Sequence, residues 1–333
     1  MNREDYIQAS TTTRVYEKGL LDKVTFNRLV DSDNFEDFKR ILAETKYSDA
    51  VNVIESRREF DKALDQNLVE MFKEFYKASK DPEVVEILAS EYIFHNIKTV
   101  IKSHILKEDL TDLLMRITDY NYRGLYQELE ESGRASKNMY FHEYINTALD
   151  EYEESKDPQR LDMTMDRLQN EYMLCLANRV GSPYIIEYVK NLIDAQNINM
   201  TLRGKRQNHR INCVYDFLIE GGNIPRDIYI KYYFEDMDKI IDELKKYDIY
   251  PTLLNSLDKW KEDDKLLHFR EGAENFLDKI AIKGKYVTYG PEVLFSYMLR
   301  KEREIQIIRT IAVGKLNGLS PEDIKKRTGE LIA

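Results

Sequence analysis

The chain repeats one helical segment at intervals of about a hundred residues. EYIFHNIKTVIK and LIDAQNINMTLR align without a gap at an offset of 101 residues, which places Asn197 on Asn96. In a third version, KEREIQIIRTIAVGK, Glu304 takes the same position, 208 residues beyond Asn96. A chain that repeats in this way is built from copies of one supersecondary unit. The fold must therefore accommodate three similar units.

The similarity extends upstream of these segments. Residues 60–102 align with residues 161–203 as two helical stretches separated by a break that a proline marks. The third copy has this break at Pro291, 209 residues beyond Pro82. At Ile305 the offset from the first copy is 208 residues, so the alignment shifts by one residue between these two positions. We predict three helical repeats of about 100 residues each, a size within the usual range of a domain. Their predicted boundaries are 1–115, 116–215 and 216–333.

Composition and periodicity both predict an all-α fold. The chain is 42% hydrophobic and 33% charged, with only 13 Gly and 7 Pro, so it can bury a core but is poor in hairpin residues. Val84, Ile87, Phe94, Ile97 and Ile101 keep the three-and-four spacing of one helical face. The segment at 285–289 is the best strand candidate, but it is short and isolated. We therefore expect no strand.

Several function classes fit the sequence poorly. No apolar run approaches 18 residues and the N-terminus lacks a signal-like pattern, so we expect neither export nor membrane insertion. A net charge of −10 argues against binding to nucleic acid, which needs clustered Lys and Arg. One basic run, at 203–210, has no interleaved aromatics, and we interpret it as a cationic helix end or a solvated loop. Cys175 and Cys213 lie among apolar neighbours in the sequence and are expected to pack in the core.

The sequence gives no positive sign of catalysis. GKLNG at 314–318 lacks the first glycine of the phosphate-loop pattern G-x-x-x-x-G-K, and we interpret it as a helix end. The five histidines show no metal-ligand spacing, and a surface hydrogen bond is our interpretation of the Glu91 and His95 pair. A nucleophilic site whose members meet only in space stays open. We predict no catalytic residue, cofactor or metal.

The chain contains 23 tyrosines, several of them in groups. Tyrosine combines an apolar ring with a polar tip, which suits partly buried surfaces and protein interfaces. Packing at the rim of the core is the alternative interpretation for any one tyrosine. Taken together, they favour a protein that works through contacts with other proteins.

The C-terminal pattern KExEIxxIRxIxxGKxNG, from Lys301 to Gly318, resembles the C subunit of prokaryotic V-type (A/V-type) ATPases, a relative of the eukaryotic d subunit. The resemblance covers the whole chain, since the N-terminus and LAETKY at 42–47 are also similar to that family. One departure is that Lys102-Ser103-His104 stands where the second copy has Arg203-Gly204-Lys205. A basic contact in one copy need not exist in the other.

The resemblance implies a funnel-like body of three helical repeats in the central stalk of a rotary ATPase. One side would receive the shaft subunits of the D and F type, and the other would rest on the membrane proteolipid ring. The chain would then be a peripheral, non-catalytic subunit on the cytoplasmic side of the membrane. Its role in ion transport or ATP synthesis would depend on the surfaces that contact these partners. The alternatives are a cytosolic helical-repeat scaffold, whose usual period of about 34–47 residues fits poorly, and an enzyme with an unrecognised site.

The candidate contact residues are the polar members of the repeated helices. A socket that must form and release is expected to use polar, wet contacts, because a large apolar patch would aggregate when unpaired. We therefore expect these side chains toward a central cavity or at helix junctions; solvated outer faces are the alternative. The candidates are Glu91, Asn96, Asp194, Asn197, Arg203, Glu302, Glu304 and Arg309.

Overall fold

The computed structural model describes residues 2–51 and 57–328, and every regular element within these ranges is a helix. The all-α prediction is confirmed, and residues 284–290 form a short 3-10 turn and bends where the weak strand candidate lies. The first half of the chain contains α1 (Ile7–Glu17), α2 (Lys23–Asp31), α3 (Phe35–Ala43), α4 (Ser48–Val51), α5 (Arg57–Ala78), α6 (Glu83–Leu106), α7 (Tyr122–Ser132) and α8 (His142–Ser155). The second half contains α9 (Pro158–Val180), α10 (Pro183–Arg206), α11 (Ile211–Tyr215), α12 (Arg226–Lys231), α13 (Met237–Asp242), α14 (Tyr250–Asp263), α15 (Leu267–Lys283), α16 (Pro291–Leu316) and α17 (Pro321–Thr328). Three 3-10 helices cover Arg3–Tyr6, Thr111–Leu113 and Gly284–Tyr286.

Local sequence signals set many helix ends. The Asn34 side chain caps α3 by accepting a hydrogen bond from the Asp37 backbone at 3.0 Å. Ser320 caps α17 in the same way, accepting from the Asp323 backbone at 3.1 Å, as its position before a proline predicts. Gly181 ends α9 with φ of +71°, a left-handed conformation that glycine adopts without strain.

The helices form two compact units. One unit contains residues 1–80 and 278–333, and the other contains residues 81–277. The predicted boundaries 1–115, 116–215 and 216–333 mark copies of a sequence repeat, whereas the two units are groups of helices that are close in space. These boundaries stay a prediction.

Helix α16 is the centre of the first unit. It is buried on most of its circumference, which is typical of a helix surrounded by others. Phe75 of α5 stacks on Tyr297 of α16 with ring centroids 5.3 Å apart. Phe38 and Phe60 meet edge to face nearby, at 6.0 Å. The N-terminal helices therefore share a core with the last long helix.

Helices α6, α8, α9 and α10 build the core of the second unit. Phe94 of α6 and Phe141 meet edge to face at 5.3 Å, and Phe141 lies 5.1 Å from Tyr172 of α9. The tyrosine group at 229–233 is buried here as well, so those side chains pack inside the unit. Across the described ranges, no helix combines the length and the apolar character that a bilayer crossing requires.

The expectation that the cysteines pack in the core is wrong. Both Cys175 and Cys213 are exposed, free thiols. Met173 and Leu176, the apolar neighbours that motivated the expectation, are buried on α9. Successive helical residues point in directions about 100° apart, so apolar sequence neighbours do not place Cys175 on the buried face.

Candidate functional site

Asn96, in the middle of α6, binds the backbone of a residue well beyond the helix. Its amide nitrogen donates to the Met115 carbonyl at 2.6 Å, and its amide oxygen accepts from the Met115 N–H at 2.9 Å. The side chain is fully buried. An Asn amide both donates and accepts, so one side chain satisfies both backbone groups of a chain that turns back on the helix.

Asn197 makes the same pair of bonds from α10. It donates to the Ile219 carbonyl and accepts from the Ile219 N–H, both at 2.8 Å, and it is fully buried. We call each of these two-bond contacts a backbone clamp. Asn96 and Asn197, which the sequence repeat aligns, therefore have the same structural role. This is what copies of one unit are expected to do.

Asp194 extends the second clamp by one helical turn. Its carboxylate accepts hydrogen bonds from the Asn223 N–H at 2.9 Å and the Ile224 N–H at 3.0 Å. Burial raises the pKa of this carboxyl, and the two backbone donors oppose that effect. Asp194 and Asn197 together hold residues 219–224 against α10.

Glu304 occupies the aligned position on α16 and also binds backbone. Its carboxylate accepts from the Leu21 N–H, from the Tyr47 hydroxyl at 2.7 Å and from Lys301 Nζ at 2.8 Å. Lys301 also donates to the Tyr47 oxygen at 2.7 Å. Tyr47 is fully buried, and burial raises the pKa of its hydroxyl. In the third copy, therefore, an ionic contact takes the place of the amide clamp, and its backbone partner comes from the N-terminal segment.

Arg309 lies further along α16 and pairs with two carboxylates of α5. Its guanidinium lies 3.2 Å from an Asp61 oxygen and 2.6 Å from an Asp65 oxygen. Glu302, the remaining candidate on α16, is half-buried. The polar side chains of α16 thus serve contacts within the first unit.

A cavity of about 1210 Å³ opens in the unit formed by residues 81–277. Its walls come from α6, α9 and α10, together with the first residues of α15. Most α10 side chains that face it are polar, among them Gln196 and Asn199. Five cations line it against two carboxylates, although the whole chain carries a net charge of −10. The charged residues are Lys98, Arg167, Arg203, Arg206 and Arg270, with Glu91 and Asp166.

Two of the predicted contact residues, Glu91 and Arg203, lie on this wall. Glu91 is open to the solvent in the cavity, but the surrounding protein lowers its hydration and raises its pKa, which Lys98 partly offsets. Arg203 is exposed, and within the described part of the chain its guanidinium has neither a hydrogen bond nor an ion pair. The other cavity cations each pair with a carboxylate, for example Lys98 with Asp166 at 2.6 Å.

Sequence reasoning missed several members of these contacts. Tyr47 and Lys301, which share the buried carboxylate of Glu304, were not among the candidates. Asp61 and Asp162, the acidic partners of Arg309 and Lys102, were not candidates either. The signal was present, since these two aspartates lie at the repeat offset of 101 residues. Within residues 2–51 and 57–328, no three His, Cys, Asp or Glu side chains are placed to hold a metal ion.

Known proteins are similar to this chain over nearly its full length. Residues 9–327 match the family described as ATP synthase (C/AC39) subunit. The chain is 24% identical to the C subunit of the V-type sodium ATPase of Enterococcus hirae, over 97% of this chain and 98% of that protein. It is 26% identical to the C subunit of the A-type ATP synthase of Thermoplasma volcanium, over 96% of each. The corresponding protein of Desulfurococcus sp. is also 26% identical, over 98% of this chain and 91% of that protein.

Proposed function

Because the chain belongs to the ATP synthase (C/AC39) subunit family, we propose that it is the non-catalytic socket of the central stalk in a rotary V-type ATPase. In this role it receives the shaft subunits of the D and F type and rests on the membrane proteolipid ring. It couples rotation of the shaft to ion movement through the ring. It is held on the cytoplasmic side of the membrane through its protein partners.

The cavity, whose wall mixes charged and amide side chains with apolar ones such as Met163 and Met200, carries this proposal. A cavity of about 1210 Å³ with charged and amide side chains on its walls suits a protein segment that enters and leaves, because its polar groups are hydrated when it is empty. An apolar pocket of that size would favour irreversible association or aggregation. The sequence also lacks a phosphate loop, which agrees with a subunit that transmits torque and does not hydrolyse ATP.

The internal repeat supports the contact with a ring. Three similar helical repeats can present similar surfaces at three places, which suits an adaptor between an asymmetric shaft and a symmetric ring. The buried clamps at Asn96 and Asn197 fix the chain after α6 and after α10. Close-packed helices that are held in this way deform little and can carry torque.

We expect removal of the subunit to uncouple ATP hydrolysis from ion movement. The nucleotide sites lie on other subunits, so hydrolysis by the complex should continue while transport falls to background. The measurement is ATP hydrolysis beside ion flux in reconstituted vesicles, assembled with and without the subunit, and with H⁺ and Na⁺ each tested. The isolated subunit serves as the control and should hydrolyse no ATP.

Ion transport at full efficiency without the subunit would overturn the socket role. Turnover of ATP by the isolated chain would contradict the non-catalytic assignment. Adding the purified subunit back should restore transport if the loss is specific.

A further inference from the structure

The sequence repeat aligns the three long helices α5, α9 and α15 position by position. The offset of 101 residues places Leu161 on Phe60, and the offset of 209 residues found at Pro82 and Pro291 places Phe269 on Phe60. All three side chains are almost fully buried. One turn later the positions hold Leu64, Met165 and Ala273, and these are buried as well. The alignment therefore identifies matching positions on the three helices.

In two of the three copies, a cation on the repeated helix pairs with an aspartate of a neighbouring helix. The two aspartates occupy matching positions of the repeat. Lys102 of α6 lies 2.7 Å from Asp162 of α9. Arg309 of α16, one residue before the position that matches Lys102, lies 3.2 Å from Asp61 of α5, and Asp61 matches Asp162. In both places a cation faces a carboxylate across two neighbouring helices.

The remaining copy lacks this pair. Arg203 of α10 matches Lys102, but the α15 residue that matches Asp61 and Asp162 is Arg270. Arg270 has its own partner on α15, Glu274, at 3.6 Å. Arg203 is exposed and, among the residues that the structure describes, has no polar partner. Both arginines line the large cavity, as does Leu267 at the start of α15.

We propose that this groove, lined by Gln196, Asn199, Arg203, Leu267 and Arg270, binds an acidic helical segment of the shaft. This inference rests on the proposed function, since it assigns the occupant to the shaft subunits. Carboxylates on one face of the incoming helix pair with Arg203 and Arg270. They supply the negative charge that Asp61 and Asp162 provide in the other two copies.

The charges on the groove favour binding of an outside partner over direct contact between α10 and α15. Moving α15 onto α10 would bring two guanidinium groups together, which costs energy as they lose water. A carboxylate between them relieves that repulsion and forms charge-assisted hydrogen bonds with both. The groove's amides, Gln196 and Asn199, offer further hydrogen bonds to a polar helix face.

The test measures binding of the full chain to co-expressed shaft subunits, and separately to a synthetic helical peptide with glutamate at every fourth position. We expect Arg203→Glu to weaken both interactions at least about tenfold, because a repulsive charge replaces an attractive one. Arg270→Asp should weaken them similarly, because it removes one cation of the groove and adds a carboxylate that repels the incoming glutamates. High salt should weaken wild-type binding, since the contact is ionic and partly exposed.

Arg179→Glu is the matched control. Arg179 is exposed in the last turn of α9, as Arg203 is near the end of α10, but it does not line the cavity. Both substitutions lose the same favourable interaction with a helix C-terminus. The control should bind as the wild type does, and all three variants should keep the wild-type circular dichroism spectrum.

The outcomes separate this inference from the proposed function. Wild-type chain that binds the glutamate peptide but not the shaft would support the acidic groove and overturn the socket role. Shaft binding that Arg203→Glu and Arg270→Asp leave unchanged would overturn the groove alone. Equal binding of a lysine counterpart of the peptide, or no binding of the glutamate peptide, would also overturn it.

Discussion

Replacing Asn197 by alanine is expected to lower the free energy of unfolding by about 3 kcal/mol, because each buried polar group left without a partner costs about 1–3 kcal/mol. The substitution leaves both backbone groups of the buried Ile219 without their partner. The Ile219 N–H loses its acceptor and the Ile219 carbonyl loses its donor, and both of these hydrogen bonds are 2.8 Å long. The truncated side chain also leaves a small buried space. Urea denaturation of the purified chain measures the change.

Asn199→Ala is the control for this prediction. Asn199 is the same residue type on the same helix, but it is half-exposed on the cavity wall. Its loss should change stability by less than about 0.5 kcal/mol, as for most surface substitutions. Equal destabilisation by the two variants would mean that the clamp contributes nothing specific.

Glu304→Ala is expected to destabilise the chain by about 3–5 kcal/mol, the usual cost of removing one partner of a buried ion pair. The substitution leaves Lys301, which is only 8% exposed, without its carboxylate, and it removes the acceptor of the Leu21 N–H. Chemical denaturation measures the loss. Limited proteolysis should also cut near Leu21 sooner, because this contact holds the N-terminal segment to α16.

A double variant tests the ionic nature of this contact. Glu304→Leu with Lys301→Met replaces the pair by apolar side chains of similar size, which is often neutral for stability. Only part of the lost stability should return, because the unpaired Lys301 charge is gone but the Leu21 N–H and the buried Tyr47 hydroxyl still lack their acceptor. If Glu304→Ala alone behaves like Glu322→Ala, a change at an exposed glutamate, then the buried pair has no structural role.

The backbone partner of the aligned polar residue differs between the copies. Asn96 and Asn197 bind backbone that follows in sequence, 19 and 22 residues further on. The positions at the same distances beyond Glu304 lie in α17, and the backbone partner of Glu304 is instead Leu21, from the N-terminal segment. A carboxylate only accepts hydrogen bonds, so Lys301 and Tyr47 supply the donors around it. The exchange of Asn for Glu in the repeat pattern therefore has a physical reason.

The sequence by itself determined the helical class, many helix ends and the family. Composition, apolar periodicity and capping residues act over a few positions, so they can be read without the fold. The repeat offset singled out Asn96, Asn197 and Glu304 as one set, and all three bind backbone from matching places on long helices. The resemblance carried by the C-terminal pattern is confirmed by the family match over residues 9–327.

Only the tertiary structure decided which of the repeated polar residues have partners. Lys102 and Arg203 are equivalent in sequence, yet Lys102 reaches Asp162, 60 residues away, while Arg203 faces an open cavity. The difference arises because helices distant in the chain supply the opposing charge, and at α15 that charge is an arginine. The exposed thiol of Cys175 has a similar cause, since the face that a helix buries is chosen by its neighbours in space.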